Sequence, residues 1–269
     1  MENTVHGRGV LAEHGLSFLI EIDGHRLLLD TGQGLAIRNN AERFGVDLSA
    51  ITALILSHGH YDHTGGIASL PKRREPCPVY VHPAAFGPKY SLHEDGSIHD
   101  VGMPLSSRSV LDNGSFRLEL NKGPNIASGC VLVTGEVPRQ NAYEDTGGAF
   151  YTDEACTAPD RLIDDQAVAI HTSEGVVLLL SCAHAGTVNT MDFVAGLLGV
   201  SRFRAVIGGM HLLDASGTRI AATIEAFRRY DVGIVGPCHC TGDRAVRRMQ
   251  SELPDRFRVV ESGTRLVFG

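Results

Sequence analysis

Short apolar runs, rich in Leu, Val and Ile, alternate along the chain with Gly-containing turns, and in a few stretches the apolar spacing changes from two residues to that of a helix. Residues 16–22 and 25–30 read as two strands around Asp23-Gly24, the dipeptide that favours a two-residue hairpin. Residues 35–44 predict a helix that stops at Gly45. The aliphatic run 51–56 predicts a buried strand, and residues 65–70 a short helix closed by Pro71. A strand at 79–82 ends in His82. From 83 to 160 the periodicity fades and turn formers accumulate, among them Gly87-Pro88, Asp95-Gly96, Asn113-Gly114, Gly123-Pro124 and Gly147-Gly148. Strand-like fragments persist there, notably at 116–120 and 130–134, so the stretch predicts strands wrapped by long loops, a lid or insertion over a site. Order returns with a second hairpin, 167–171 and 176–184 around Glu174-Gly175, followed by a helix at 188–198 and a strand at 204–207. Residues 218–230 form the clearest amphipathic pattern, with Ile220, Ile224 and Phe227 on one face. A run at 232–236, a helix near 243–250 and a last strand at 257–260 complete the reading.

Several of these apolar runs end in a small-residue loop that carries Asp or His: Asp30, residues 58–63, His184, His211 and His239. Histidines scattered over a surface would not recur at strand ends. The recurrence predicts that the carboxyl edges of several strands build a site, as in layered α/β proteins. The densest instance, Ser57-His58-Gly59-His60-Tyr61-Asp62-His63-Thr64, places three imidazoles and a carboxylate in six residues, in the loop after the 51–56 strand. Imidazole nitrogens and carboxylate oxygens suit borderline divalent cations: Zn²⁺ foremost, Fe²⁺ and Mn²⁺ as competitors. His93 and His99, in the turn-rich stretch, read as exposed loop residues. Cys238 and Cys240 flank His239; read as an extended segment they point away from the metal that His239 would hold, so packing or redox sensitivity is their expected role.

Composition narrows the class. A chain of 269 residues with 43% hydrophobic residues can bury a full core as one domain. The net charge of -7 disfavours nucleic acid and anionic membrane as partners and leaves a small molecule as the expected substrate. Residues 1–15 lack the apolar core of a signal peptide, and the longest apolar runs are strand-sized. Six cysteines are too sparse for a disulfide framework; reduced thiols in a cytoplasm are expected.

The sequence His58-Gly59-His60-Tyr61-Asp62-His63 resembles the HxHxDH signature of the metallo-β-lactamase superfamily. Residues 28–32 resemble that superfamily's first motif and residues 236–239 its last. Residues 181–189, 208–212 and 238–242 resemble a narrower, dihydropterin-related branch, named for an archaeal enzyme that joins a dihydropterinylmethyl unit to a ribofuranosylaminobenzene phosphate. The resemblance implies an α/β fold, an αββα four-layer sandwich of two mixed sheets with helices outside, spanning 1–269 as a single domain. It also implies one or two divalent ions. His58 and His60 would hold the first metal, and Asp62, His63 and His239 the second. The position of the superfamily's third motif falls at 164–166, and its usual bridging Asp is replaced at 182–184. Either Asp165 or His184 would therefore complete the first metal's shell, His184 being preferred. Asp62 would orient the attacking water and His211 would donate a proton or touch substrate, with Asp30 and Asp165 as further ligands or supports. The implied activity is hydrolysis or group transfer on a small phosphorylated or ester-type metabolite. A catalytically idle metal- or ligand-binding protein is the alternative, and a nuclease is disfavoured by charge.

Overall fold

The computed structural model describes residues 1–269. The chain forms two compact units: residues 1–123, 149–164 and 261–264 make the first, and residues 124–148, 165–260 and 265–269 the second.

In the first unit, the Asp23-Gly24 turn joins strands β1 (Phe18–Ile22) and β2 (His25–Leu29), with Ile22 opposite His25. Helix α1 (Ile37–Arg43) follows, two residues shorter at its start than the 35–44 expected; it buries Ile37, Asn40 and Ala41, whereas Leu35 and Phe44 are exposed. Ala36 offers no side-chain cap. Instead the Glu13 carboxylate accepts the amides of Leu35 (2.7 Å) and Ala36 (3.0 Å), satisfying donors that a helix start leaves open. Strand β3 (Ala53–Leu56) leads to the one-turn helix α2 (Tyr61–Thr64), and β4 (Cys77–Val81) follows. Strands β5 (Tyr90–Leu92) and β6 (Ile98–Asp100), helix α3 (Leu105–Leu111) and strand β7 (Phe116–Leu120) come from the turn-rich region. The sheet order is β1-β2-β3-β4-β7, antiparallel in the hairpin and parallel from β2 onward. Its core gathers Leu54, Leu56, Val79, Val81, Ile67 and Phe116.

In the second unit, β8 (Asn125–Ser128) and β9 (Val131–Val133) come from the same turn-rich region, while β10 (Phe150–Tyr151) returns to the first unit and pairs with β5. Thus the stretch 83–160 supplies strands to the sheets of both units. The hairpin β11 (Val168–Thr172) and β12 (Gly175–Leu180), helix α4 (Thr187–Leu198), strand β13 (Phe203–Gly209), helix α5 (Gly217–Arg229), strand β14 (Ile234–Cys238) and helix α6 (Asp243–Glu252) complete the unit. The strand order is β14-β13-β12-β11-β9-β8, parallel across β12, β13 and β14. Met191 and Val194 of α4, Ile220, Ile224 and Phe227 of α5, and Met249 of α6 pack with Leu178, Leu180, Val206 and Val235. Each large side chain so buried is worth about 1.5–3 kcal/mol against exposure. The strand expected at 257–260 is reduced to a single bridge between Phe257 and Val235; Pro254, with no amide hydrogen to give, stands just before it.

No helix is long and apolar enough to cross a membrane.

Candidate metal centre

Parallel pairing decides where the first donor set lies. Leu29 of β2 is in register with Ile55 of β3, so the residues that leave these two strands, Asp30 and Ser57, emerge side by side. The Asp30 carboxylate accepts the Ser57 amide (2.8 Å), the Ser57 hydroxyl (2.7 Å) and the His63 ring at Nδ1 (2.8 Å). Because the Ser57 hydroxyl is committed to Asp30, its oxygen receives Nδ1–H of His58 at 2.8 Å. These bonds fix both tautomers: His58 and His63 turn Nε2 away from their anchors as the lone-pair nitrogen. His58 Nε2 then lies 3.0 Å from His60 Nδ1, and His63 Nε2 lies 3.5 Å from Asp62 Oδ2. All four side chains are buried, as are Asp30 and Ser57. Two imidazoles and an imidazole–carboxylate pair, aimed by a carboxylate–histidine contact from behind, form the donor chemistry a divalent cation takes.

The loop is also held from outside. Gly59 sits between the two histidines, and a Cβ there would run into the carbonyl of Ala85. Its amide donates to Asp164 Oδ2 at 2.8 Å, while Asp164 Oδ1 and Asp160 Oδ2 accept from Lys89 Nζ at 2.9 and 3.0 Å. Lys89 is only 2% exposed. Burial disfavours its ammonium, but the two carboxylates outweigh that cost and push its pKa upward. At the other end of the motif, His14 Nε2 stands 3.3 Å from Asp62 Oδ2.

The second unit repeats the design. Leu180 pairs with Gly208 and Gly209 with Cys238, so the chain leaves β12, β13 and β14 at adjacent edges and delivers Cys182 with His184, His211, and His239 with Cys240. His184 gives Nδ1–H to the Thr146 carbonyl at 2.8 Å, which makes Nε2 its lone-pair nitrogen. The rings of His184 and His211 lie 4.3 Å apart between centroids. One ligand atom each from Cys182, His184 and His211 fall within 4.8 Å of one another, and so do those of Cys182, His239 and Cys240. Asp165 Oδ2 accepts the Ala185 amide at 2.7 Å and so holds the turn that follows His184. Burial works against charge on both Cys240 and His211. The hydrogen bond with Cys182, then the nearby His211 and His239, nonetheless hold the Cys240 thiol well below its usual pKa, and Cys240 in turn raises that of His211.

Asp30, Ala183, His211 and His239 are non-glycine residues with φ of 57°, 53°, 45° and 52°. Each reverses the chain at a strand end and aims a donor that an extended continuation would turn elsewhere, a form of strain that gathers at functional loops.

The structure therefore groups His58, His60, Asp62 and His63 with Asp30 in one unit, and His184, His211 and His239 with Asp165 in the other. Asp30 stands behind His63. The expectation that Cys240 points away from the ligands of His239 is wrong: residues His239–Thr241 form a 3-10 turn, so the alternation of an extended segment does not apply there. The loop expected across 57–64 also ends early, since Asp62 and His63 belong to α2. His93, just after β5, and His99 of β6 are exposed, and their rings contact each other. Lys89, Asp164 and His14 were not singled out as site residues by the sequence reading; each reaches the motif from a distant segment.

Residues 11–140 match the sequence model of the metallo-beta-lactamase superfamily. A crystal structure described as a metal-dependent hydrolase of the beta-lactamase superfamily is 27% identical and superposes with a TM-score of 0.84 over 99% of this chain and 96% of that one. The chain has the metallo-β-lactamase fold. Among curated proteins it is 27% identical to the 7,8-dihydropterin-6-methyl-4-(beta-D-ribofuranosyl)-aminobenzene-5'-phosphate synthase of Methanocaldococcus jannaschii, over 96% of this chain and 90% of the synthase. A second protein of that organism, of uncharacterized function, is 29% identical over 93% of this chain and 91% of its own length. This metallo-β-lactamase-fold chain thus has both a hydrolase and a synthase among its relatives, and the motifs first read at 28–32, 58–63 and 236–239 lie at the strand ends described above.

Proposed function

We propose that the protein is a metal-dependent hydrolase or transferase acting on a small phosphorylated or ester-type metabolite. The observation that carries this reading is the buried group His58, His60, Asp62 and His63, in which Ser57 aims the His58 ring and Asp30 the His63 ring. In the second unit His184 and His239 offer donors of the same kind; Zn²⁺ is the favoured ion, with Fe²⁺ or Mn²⁺ the competitors. The chemistry a divalent ion would supply at these residues is a lowered pKa for bound water and polarisation of a phosphoryl or carbonyl oxygen. The remaining work falls to the chain. Asp62 orients the attacking group, with His14 at 3.3 Å as its neighbour. His211, whose pKa is raised, holds a proton for the leaving oxygen. The synthase of M. jannaschii carries a 5'-phosphate in its product's name and supports the phosphorylated class over a simple ester.

The test is elemental analysis of protein purified without added metal, followed by turnover assays on phosphodiesters, phosphomonoesters, lactones and thioesters. Bound divalent metal with turnover of a phosphorylated compound is expected; metal-free protein that takes up none on dialysis would overturn the reading. Asp30→Asn replaces the charge behind His63 with an amide, and a 10- to 100-fold weaker hold on the metal is expected, the usual size for such supporting groups. Competition with a chromophoric chelator measures it, and unchanged affinity would show that Asp30 does not position His63.

A further inference from the structure

Cys182 belongs to both donor groups of the second unit, one with His184 and His211 and the other with His239 and Cys240. Neither cysteine is in a disulfide. Several features of the chain bring the two sulfurs here. Ala183, at φ 53°, reverses the backbone so that Cys182 and His184, two residues apart, reach the same group. The turn His239–Thr241 does the same for His239 and Cys240, and is pinned where Thr241 Oγ1 donates to the Cys238 carbonyl (2.7 Å) and accepts the Met210 amide (3.2 Å). Gly209 leaves the space: a Cβ on it would stand 2.8 Å from Cys240 Sγ and would also strike the Ser181 carbonyl. A small residue in β13, a 3-10 turn after β14 and a left-handed residue after β12 all serve to place two thiols beside imidazoles. A buried apolar packing role for the cysteines would need none of them.

We infer that the Cys182 and Cys240 thiols are metal ligands, so that the cation bound by His239 and its neighbours has sulfur in its coordination. This rests on the metal-dependent reading above. Sulfur donors discriminate against Mg²⁺ and Mn²⁺ and in favour of Zn²⁺, Co²⁺ and Fe²⁺. On binding, each thiol loses its proton to solvent and no electron moves, so the step requires no oxidant.

The experiment uses the full chain, stripped with chelator under reducing conditions and titrated with Co²⁺. Visible absorption reports cobalt uptake, and a near-ultraviolet sulfur-to-cobalt charge-transfer band reports thiolate ligation independently of any activity. The band is expected to grow in step with uptake, to weaken in Cys182→Ala and in Cys240→Ala, and to vanish in the double variant. Cys77→Ala, from the core of the first unit, should leave it intact. Cobalt bound without the band, or a band that survives in the double variant, would overturn the inference while leaving the metal-dependent reading standing. Failure to bind cobalt or zinc at all would instead overturn both. Should the cysteine variants not fold, X-ray absorption of the zinc-loaded wild type decides: a sulfur shell at about 2.3 Å supports the inference, and a shell of nitrogen and oxygen alone refutes it.

Discussion

The double variant His58→Ala/His60→Ala is expected to lose bound divalent metal and at least about a hundredfold in turnover, a bound set by what even supporting groups contribute at such sites, while keeping its far-ultraviolet circular dichroism. Both residues leave the chain after β3 has ended, so no ladder hydrogen bond of the sheet depends on their side chains. The truncation removes two ring nitrogens that stand 3.0 Å apart, and it strips the Ser57 hydroxyl of its His58 partner without touching the Ser57 bond to Asp30. Asp30 and His63 should therefore remain in place. Elemental analysis beside the wild type is the measurement. A folded double variant with full metal content would show that the 58–63 motif does not hold the ion.

The second large effect is on stability. Lys89→Met leaves the carboxylates of Asp160 and Asp164 buried with no cation between them, and removing one partner of a buried ionic group costs roughly 3–5 kcal/mol. For a chain of this size that corresponds to a fall in Tm of roughly 6–20 °C, measurable by calorimetry. Because Asp164 also receives the Gly59 amide, the loss reaches the loop between His58 and His60. A weaker hold on metal should accompany the lower Tm. By contrast Arg247→Ala, which breaks an exposed pair with Asp243, should leave the unfolding transition where it is. Equal effects from the two substitutions would mean that Lys89 is not the buried keystone its geometry implies.

Local chemistry explains which parts of the molecule the sequence disclosed. Asp23-Gly24 and the alternation on either side specify the β1–β2 hairpin with no help from distant residues, and the spacing of Ile220, Ile224 and Phe227 specifies the buried face of α5. The motif 58–63 was legible because six consecutive residues carry it. What escaped depends on residues far apart in the chain. Lys89 reads as an ordinary polar residue until the fold brings Asp160 and Asp164 to it, 71 and 75 positions away. Glu13 reads as part of a polar terminus until its carboxylate meets the start of α1. Cys240 departs from its expected place for another reason: the alternation of an extended chain fails where His239, at φ 52°, begins a tight turn. Strand-end donors announce themselves by composition, whereas the bonds that aim them do not.

The left-handed backbone at Asp30, Ala183, His211 and His239 bears on how this protein can be improved or degraded by selection. A screen that rewards only heat resistance would be drawn to these four positions, because glycine or asparagine relieves their conformational cost of order 1–3 kcal/mol each. Three of the four are themselves candidate chemical groups, and the fourth directs its two neighbours. Variants gathered by such a screen should therefore sort into two populations: those that gain heat resistance elsewhere and keep turnover, and those that gain it here and lose turnover. The carboxyl ends of a handful of strands are where durability and chemistry compete for the same residues.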